Sequence, residues 1–168
     1  IIIKELELSN AKLVGTPGTK EIKIADNKNA ARQSEAIDEM DHDEDEATSD
    51  LSLKEQTRYR ALAARLNYLA MDRCDLQFAA REVAKSMSSL VAGDFIKLKR
   101  VARYLLNNGR MVQKFPWQVS PTIIGCYTDS DWAGDSRTGK STSGGLIMAG
   151  DHLLKSWASN QQLVATSS

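Results

Sequence analysis

The chain has 168 residues, 42% of them hydrophobic, and its 22 basic residues balance its 22 acidic ones. That length suits one ordinary domain, or a domain fragment with a tail. No apolar run reaches the roughly 18 residues of a membrane-spanning helix, and the acidic start after three isoleucines is unlike a signal peptide, so the chain reads as soluble and intracellular.

The neutral total hides a separation of charge. Residues 35–50 hold nine acids and no Lys or Arg, which leaves 22 basic against 13 acidic residues elsewhere. Most of that surplus falls in residues 51–168, and a basic body is compatible with a polyanionic partner. Cys74 and Cys126 lie far apart, with no paired cysteine or histidine cluster, and read as two reduced thiols.

In chain order, residues 1–14 open on "IIIKELELSN", a β-branched start that favours a strand. Residues 15–50 read as a linker that buries too little apolar surface to offset its ordering entropy. Its "DHDEDE" lacks the spacing and the sixth-position Gly of an EF-hand Ca²⁺ loop. Ser52 and Glu55 then have capping-box spacing ahead of Tyr59, Leu62, Leu66 and Leu69, which predicts a first long helix. Asp75 is the expected cap of a second, with Leu76, Ala79, Val83, Met87 and Leu90 on its apolar face. Asp94 is the expected cap of a third, with Phe95, Leu98, Ala102 and Leu105 inward and Gly109 ending it. Residues 51–109 therefore form a three-helix unit. Lys97, Lys99, Arg100 and Arg103 lie mostly off the apolar face of the third helix, either as a solvated surface or as contacts for nucleic-acid phosphates.

After Gly109 the pattern becomes "MVQKF", "TIIGCYT", "STSGGLIMAG" and "HLLKSWAS", short runs that predict successive antiparallel strands. "GDSRTGKS", Gly134 to Ser141, matches a nucleotide-phosphate loop letter for letter. Such a loop needs a helix immediately after it, to aim free N–H groups at the phosphates. Here a glycine-rich, strand-like run follows, so the expectation is a hairpin turn with no nucleotide triphosphate bound.

In "YTDSDWAGD", Asp129 and Asp131 fall at or just past the end of an apolar strand. Carboxylates placed there are good hard-cation ligands, although aspartates at a strand end also simply begin turns. The ordered series "YTDSDWAGD … KSTSGG … SWASNQQLVATSS" resembles the start of the ribonuclease H domain in copia-type retrotransposon Pol polyproteins. "YRALAARLNYLAMDRCDLQFAAREVAKSM", "LKRVARYLL" and the "TPG" at Thr16 to Gly18 resemble the segment between reverse transcriptase and ribonuclease H in the same polyproteins.

The resemblance implies an α/β (α+β) chain, with a helical connection unit followed by a truncated ribonuclease H-like mixed sheet led by three antiparallel strands. Residues 110–168 would be the incomplete N-terminal part of that domain, and residues 1–14 the end of the reverse transcriptase or connection segment, helical rather than extended. Asp129 matches the family's first Mg²⁺-binding carboxylate. Asp131 is frequent in the pattern but receives no catalytic role. The next essential carboxylate, in T-E-A-E, would follow Ser168, so both ends read as cut, no Mg²⁺ is held tightly, and the expected chain does not cleave RNA–DNA hybrids. Cys74, where the family usually has Pro, and the acidic insertion are departures. The alternatives are a non-catalytic nucleic-acid-binding or interaction module using Lys97, Arg100, Arg103 and Lys140, or a pseudogene product without selected function.

Overall fold

The computed structural model describes residues 2–18, 51–135 and 138–164. Of the linker expected over residues 15–50 only residues 15–18 lie within these, and there Arg100 Nη2 donates to Thr16 Oγ1 at 2.9 Å; the acidic block and its Ca²⁺ alternative fall outside them. Within them the chain is a mixed α and β arrangement: α1 (Ile2–Glu5), α2 (Leu53–Leu69), a 3-10 turn (Cys74–Leu76), α3 (Gln77–Lys85), α4 (Asp94–Asn107), then β1 (Ile124–Ser130), β2 (Thr142–Ala149) and β3 (His152–Asn160).

The reciprocal box at the start of α2 forms as its spacing predicts. Ser52 N–H donates to Glu55 Oε2 at 3.0 Å, and Glu55 N–H donates to Ser52 Oγ at 3.3 Å. The Ser52 hydroxyl, which donates to Glu55 Oε2 at 2.5 Å, and then the Ser52 N–H hold the Glu55 carboxyl below its usual range. One face of α2 then buries Tyr59, Leu62, Ala63 and Leu66 against Leu76, Ala79 and Val83, and against Leu98, Val101 and Ala102 of α4. Tyr59 ties three helices together. Its ring meets Phe95 edge-on at 5.2 Å and its hydroxyl donates to the Val83 carbonyl at 2.8 Å, so burial pushes its pKa well up. Ile2 and Leu6 join the same core, which settles residues 2–5 as the short helix implied by the resemblance.

Four local expectations change. Asp75 does not cap: it makes a two-pronged ion pair with Arg73, at 2.9 and 2.7 Å, and accepts from Tyr104 O–H at 2.9 Å. Arg73, itself buried, also donates to the Asn108 carbonyl at 2.9 Å, so its guanidinium satisfies an open carbonyl at the end of α4. Asp94 is the first residue of α4 rather than its cap; its carboxylate accepts from Ser86 O–H at 2.6 Å and Val91 N–H at 3.0 Å, closing the turn between α3 and α4. α3 stops at Lys85, so Met87 and Leu90 pack on the core from the following turn. Helix α4 ends at Asn107 with Asn108 as its cap, and Gly109 lacks the positive φ of a glycine terminator.

"MVQKF" is not a strand. Residues 110–121 are a strap fastened by side chains: Gln113 Nε2 donates to Leu153 O at 3.2 Å, Gln118 Nε2 to Ala149 O at 2.8 Å, and His152 Nε2 lies 2.7 Å from Pro116 O. Pro116 has no N–H for a ladder, and amide side chains take over the attachment. Gln118 also accepts from Asp151 N–H at 2.9 Å across Gly150, whose φ of 58° makes the turn into β3.

The three strands pair antiparallel in the order β1-β2-β3, with Asp129 opposite Gly144 and Gly145 opposite Trp157. α3 joins this sheet to the helical unit. Gln77 Nε2 donates to Ser156 O, and Arg81 Nε to Asn160 Oδ1, both at 3.3 Å.

Candidate metal and nucleic-acid site

The connection between β1 and β2 is the hairpin turn expected for "GDSRTGKS". Asp135 N–H donates to Lys140 O at 3.1 Å, Gly139 N–H donates to Asp135 O at 2.8 Å, and Gly139 has φ 66°. The element that follows the loop is the strand β2, which begins at Thr142, where a phosphate loop is followed by a helix.

The motif residues around it divide by role. Asp131 is structural: its carboxylate accepts from Thr142 N–H and its own N–H donates to Thr142 O at 3.1 Å. It also lies so close that a Cβ at Gly134 would meet its Oδ2 at 1.9 Å. The buried Ser141 accepts from Ala133 N–H at 3.1 Å, which holds Ala133 at a φ of 50°. Gly145 leaves room for the Trp157 indole, since a Cβ there would lie 2.3 Å from the ring and 2.8 Å from Tyr127 O. Asp129 alone among these polar residues has no side-chain partner among the described residues and stands exposed on β1.

Register decides which way Asp129 faces. Directly opposed residues share a face, so Asp129 groups with Gly144 and Ala158, and Thr128 with Gly145 and Trp157. A shallow groove of about 450 Å³ beside Asp129 is also lined by Thr128, Ser130, Ser143 and Trp157, all on the second face. Strand alternation sets Asp129 off from Thr128 and Ser130, and with Gly144 it borders the groove rather than standing among the residues of that second face. No group of three or more His, Cys, Asp or Glu side chains gathers there or elsewhere among the described residues.

The four basic residues marked in the sequence do not converge. Arg100 Nη2 donates to Thr16 Oγ1 at 2.9 Å and Arg103 Nε to Lys12 O at 2.6 Å, so both hold the N-terminal segment on α4. Lys97 also lies on α4, whereas Lys140 is in the β1–β2 connection. Beside Lys140 stand two cations that the sequence reading passed over, Arg81 and Lys85 of α3. Their one signal was the i, i+4 spacing that places both on one helix face.

Comparison with known proteins agrees with the motif series. The chain is 33% identical over 117 residues, 68% of its length, to the retrovirus-related Pol polyprotein from transposon RE2 of Arabidopsis thaliana. It is 32% identical over 107 residues to the mitochondrial protein AtMg00810 of the same plant, covering 62% of this chain and 42% of that one. It is also 31% identical over 108 residues to the secreted RxLR effector protein 161 of Plasmopara viticola, covering 64% of this chain and 75% of that one. The chain belongs to the retrovirus-related Pol polyproteins of transposons. It spans 8% of the length of the RE2 polyprotein. No family model and no solved structure matches it. Among the described residues no helix is long and apolar enough to cross a membrane.

Proposed function

We propose that the chain is a copia-type Pol segment in which the three strands open a ribonuclease H-like domain, and that Asp129 is the first metal-binding carboxylate of the polyprotein's RNA–DNA hybrid nuclease. The observation that carries this reading is the division of labour within the motif. Asp131, Ser141 and Gly145 each have a structural task, and Asp129, on a strand that fixes its backbone, has none. A carboxylate kept free at a fixed position is suited to a ligand from outside the hairpin.

The described residues do not by themselves fit a firmly held Mg²⁺. Mg²⁺ sites in phosphoryl-transfer enzymes use one or two carboxylates together with substrate phosphates, and two-metal hydrolysis needs a clamp on both the attacking and the leaving oxygen. Among the described residues no group of three or more candidate ligands gathers at Asp129, and the neighbouring Asp131 is committed to Thr142. This chain alone is therefore inactive, and hydrolysis belongs to a longer polyprotein. Incubation with a labelled RNA–DNA hybrid and Mg²⁺ or Mn²⁺ is expected to give no product above a protein-free control. Cleavage that Asp129→Asn abolishes would overturn the inactivity.

A further inference from the structure

We propose that the cleft between α3 and the β1–β2 connection binds the phosphate backbone of a single nucleic-acid strand. The proposal draws on the preceding reading only for the class of ligand; the site itself stands on cations that the fold brings together. The cleft, about 260 Å³, takes Arg81 and Lys85 from α3 and Lys140 with Thr138 from the β1–β2 connection, and Asn160 also lines it. Arg81 and Lys85 lie one turn apart on α3, and Lys140 is 55 or more residues away in sequence, so only the docking of α3 on β3 unites them.

The two carboxylates nearby leave part of this charge uncompensated. Glu82 pairs with Lys85 Nζ at 2.5 Å, and the Lys85 side chain is only 14% exposed, so Lys85 is chiefly part of the wall. Asp135 lines the cleft and accepts from Thr138 O–H at 2.8 Å. Arg81 and Lys140 form no ion pair among the described residues. Arg81 is also aimed: Nε is taken by Asn160 Oδ1, which fixes the guanidinium plane and leaves the terminal nitrogens for the fork that suits a phosphate. The loop supplies Lys140 as a point charge across from it.

A strand suits this place better than a free phosphate. The β1–β2 connection that carries Lys140 also carries Trp132, which is 60% exposed. Cations tracking a backbone beside an open indole on which a base can stack are the parts of a single-strand site. Inorganic phosphate would use the cations and leave the indole idle.

The test is fluorescence anisotropy of the full chain with a labelled single-stranded oligodeoxynucleotide in EDTA, where no metal bridges Asp129. Lys140→Glu and Arg81→Gln are each expected to weaken binding about tenfold. Each should also flatten the dependence of log affinity on log salt by about 0.7. Lys140→Arg should retain binding, and Asp129→Asn should bind as the parent does, which separates this site from the nuclease reading. Unchanged affinity in Lys140→Glu and Arg81→Gln, with helical circular dichroism and tryptophan emission intact, overturns the proposal. So does loss confined to Lys97→Glu, which would place the strand on α4. Inorganic phosphate that shifts the Lys140 amide resonance equally in the parent and Trp132→Ala, with no oligonucleotide binding, would reduce the cleft to a simple anion site and overturn the strand.

Discussion

The helical unit and the sheet are held together by different physics. Every buried hydrophobic side chain of the described residues lies between Ile2 and Leu105, and none comes from the strands. The strands and the β1–β2 connection expose Ile124, Tyr127, Trp132 and Leu154, and their buried side chains, Ser141 and Thr142, are polar. Helices α2 to α4 close on a shared apolar core, whereas the hairpins rest on backbone pairing, motif hydrogen bonds and two hydrogen bonds from α3. Two units in one chain can thus differ in whether they stabilise themselves. Among the described residues no strand pairs the outer edge of β1, so the three-stranded sheet is short of the cover that independent stability requires.

The sharpest way to break this comparison is to strike the core. Leu98 is fully buried, and Leu98→Ala should cost the helical unit about 2–5 kcal/mol. The chain's three tryptophans, Trp117, Trp132 and Trp157, all lie in the strap and sheet, so their emission reports that region while circular dichroism at the helical band reports α2 to α4. In urea the emission transition is expected to precede the helical one, and Leu98→Ala should draw the helical transition down towards it. Coincident transitions in both proteins would mean that the units fold as one and would erase the distinction.

A smaller blow falls on the polar knot between α3 and α4. The Arg73 guanidinium, then Tyr104 O–H, hold the Asp75 carboxyl below its usual range, and the pair is mostly buried. A depressed folded pKa contributes stability that is present above the unfolded value of about 3.9 and lost as pH falls through the folded value. Asp75→Asn should cost about 1.5–3 kcal/mol at neutral pH. It should also flatten the acid limb of the helical transition, and a variant whose acid limb keeps the parent's slope would show that other carboxylates set it.

Much of this was legible in the sequence, and the misses share a cause. The capping box, the apolar faces and the three strands are local patterns, each decided by residues a few positions apart. Asp75 and Asp94 were misread because either could cap, and what each does instead depends on Arg73, Tyr104 and Ser86, brought near only by packing. "MVQKF" has strand-forming residues, but its place along β2 and β3 is taken by glutamine side chains, a long-range choice that propensity does not encode. The site followed the same rule. Asp129 stood out by its motif, whereas Arg81 and Lys85 became neighbours of Lys140 only through the docking of α3.

Gly145 tests the other half of the comparison. On β2 it faces Thr128 and Trp157, and it is the point where the indole crosses the sheet. Gly145→Ala should therefore force the Trp157 ring aside or part β1 from β2, at about 1–3 kcal/mol. If the sheet stands apart energetically, the cost appears in tryptophan emission, with its urea midpoint lowered and the indole more exposed, and the helical transition stays where it was. At Gly144, one residue away, a Cβ would meet nothing closer than Trp157 O at 3.7 Å, so Gly144→Ala should leave both signals near those of the parent. Equal effects at the two glycines would mean that backbone freedom rather than the indole contact sets the sheet's stability. An equal loss in the helical signal would mean instead that α3 transmits the strain, and that the sheet is part of the helical unit's cooperative fold.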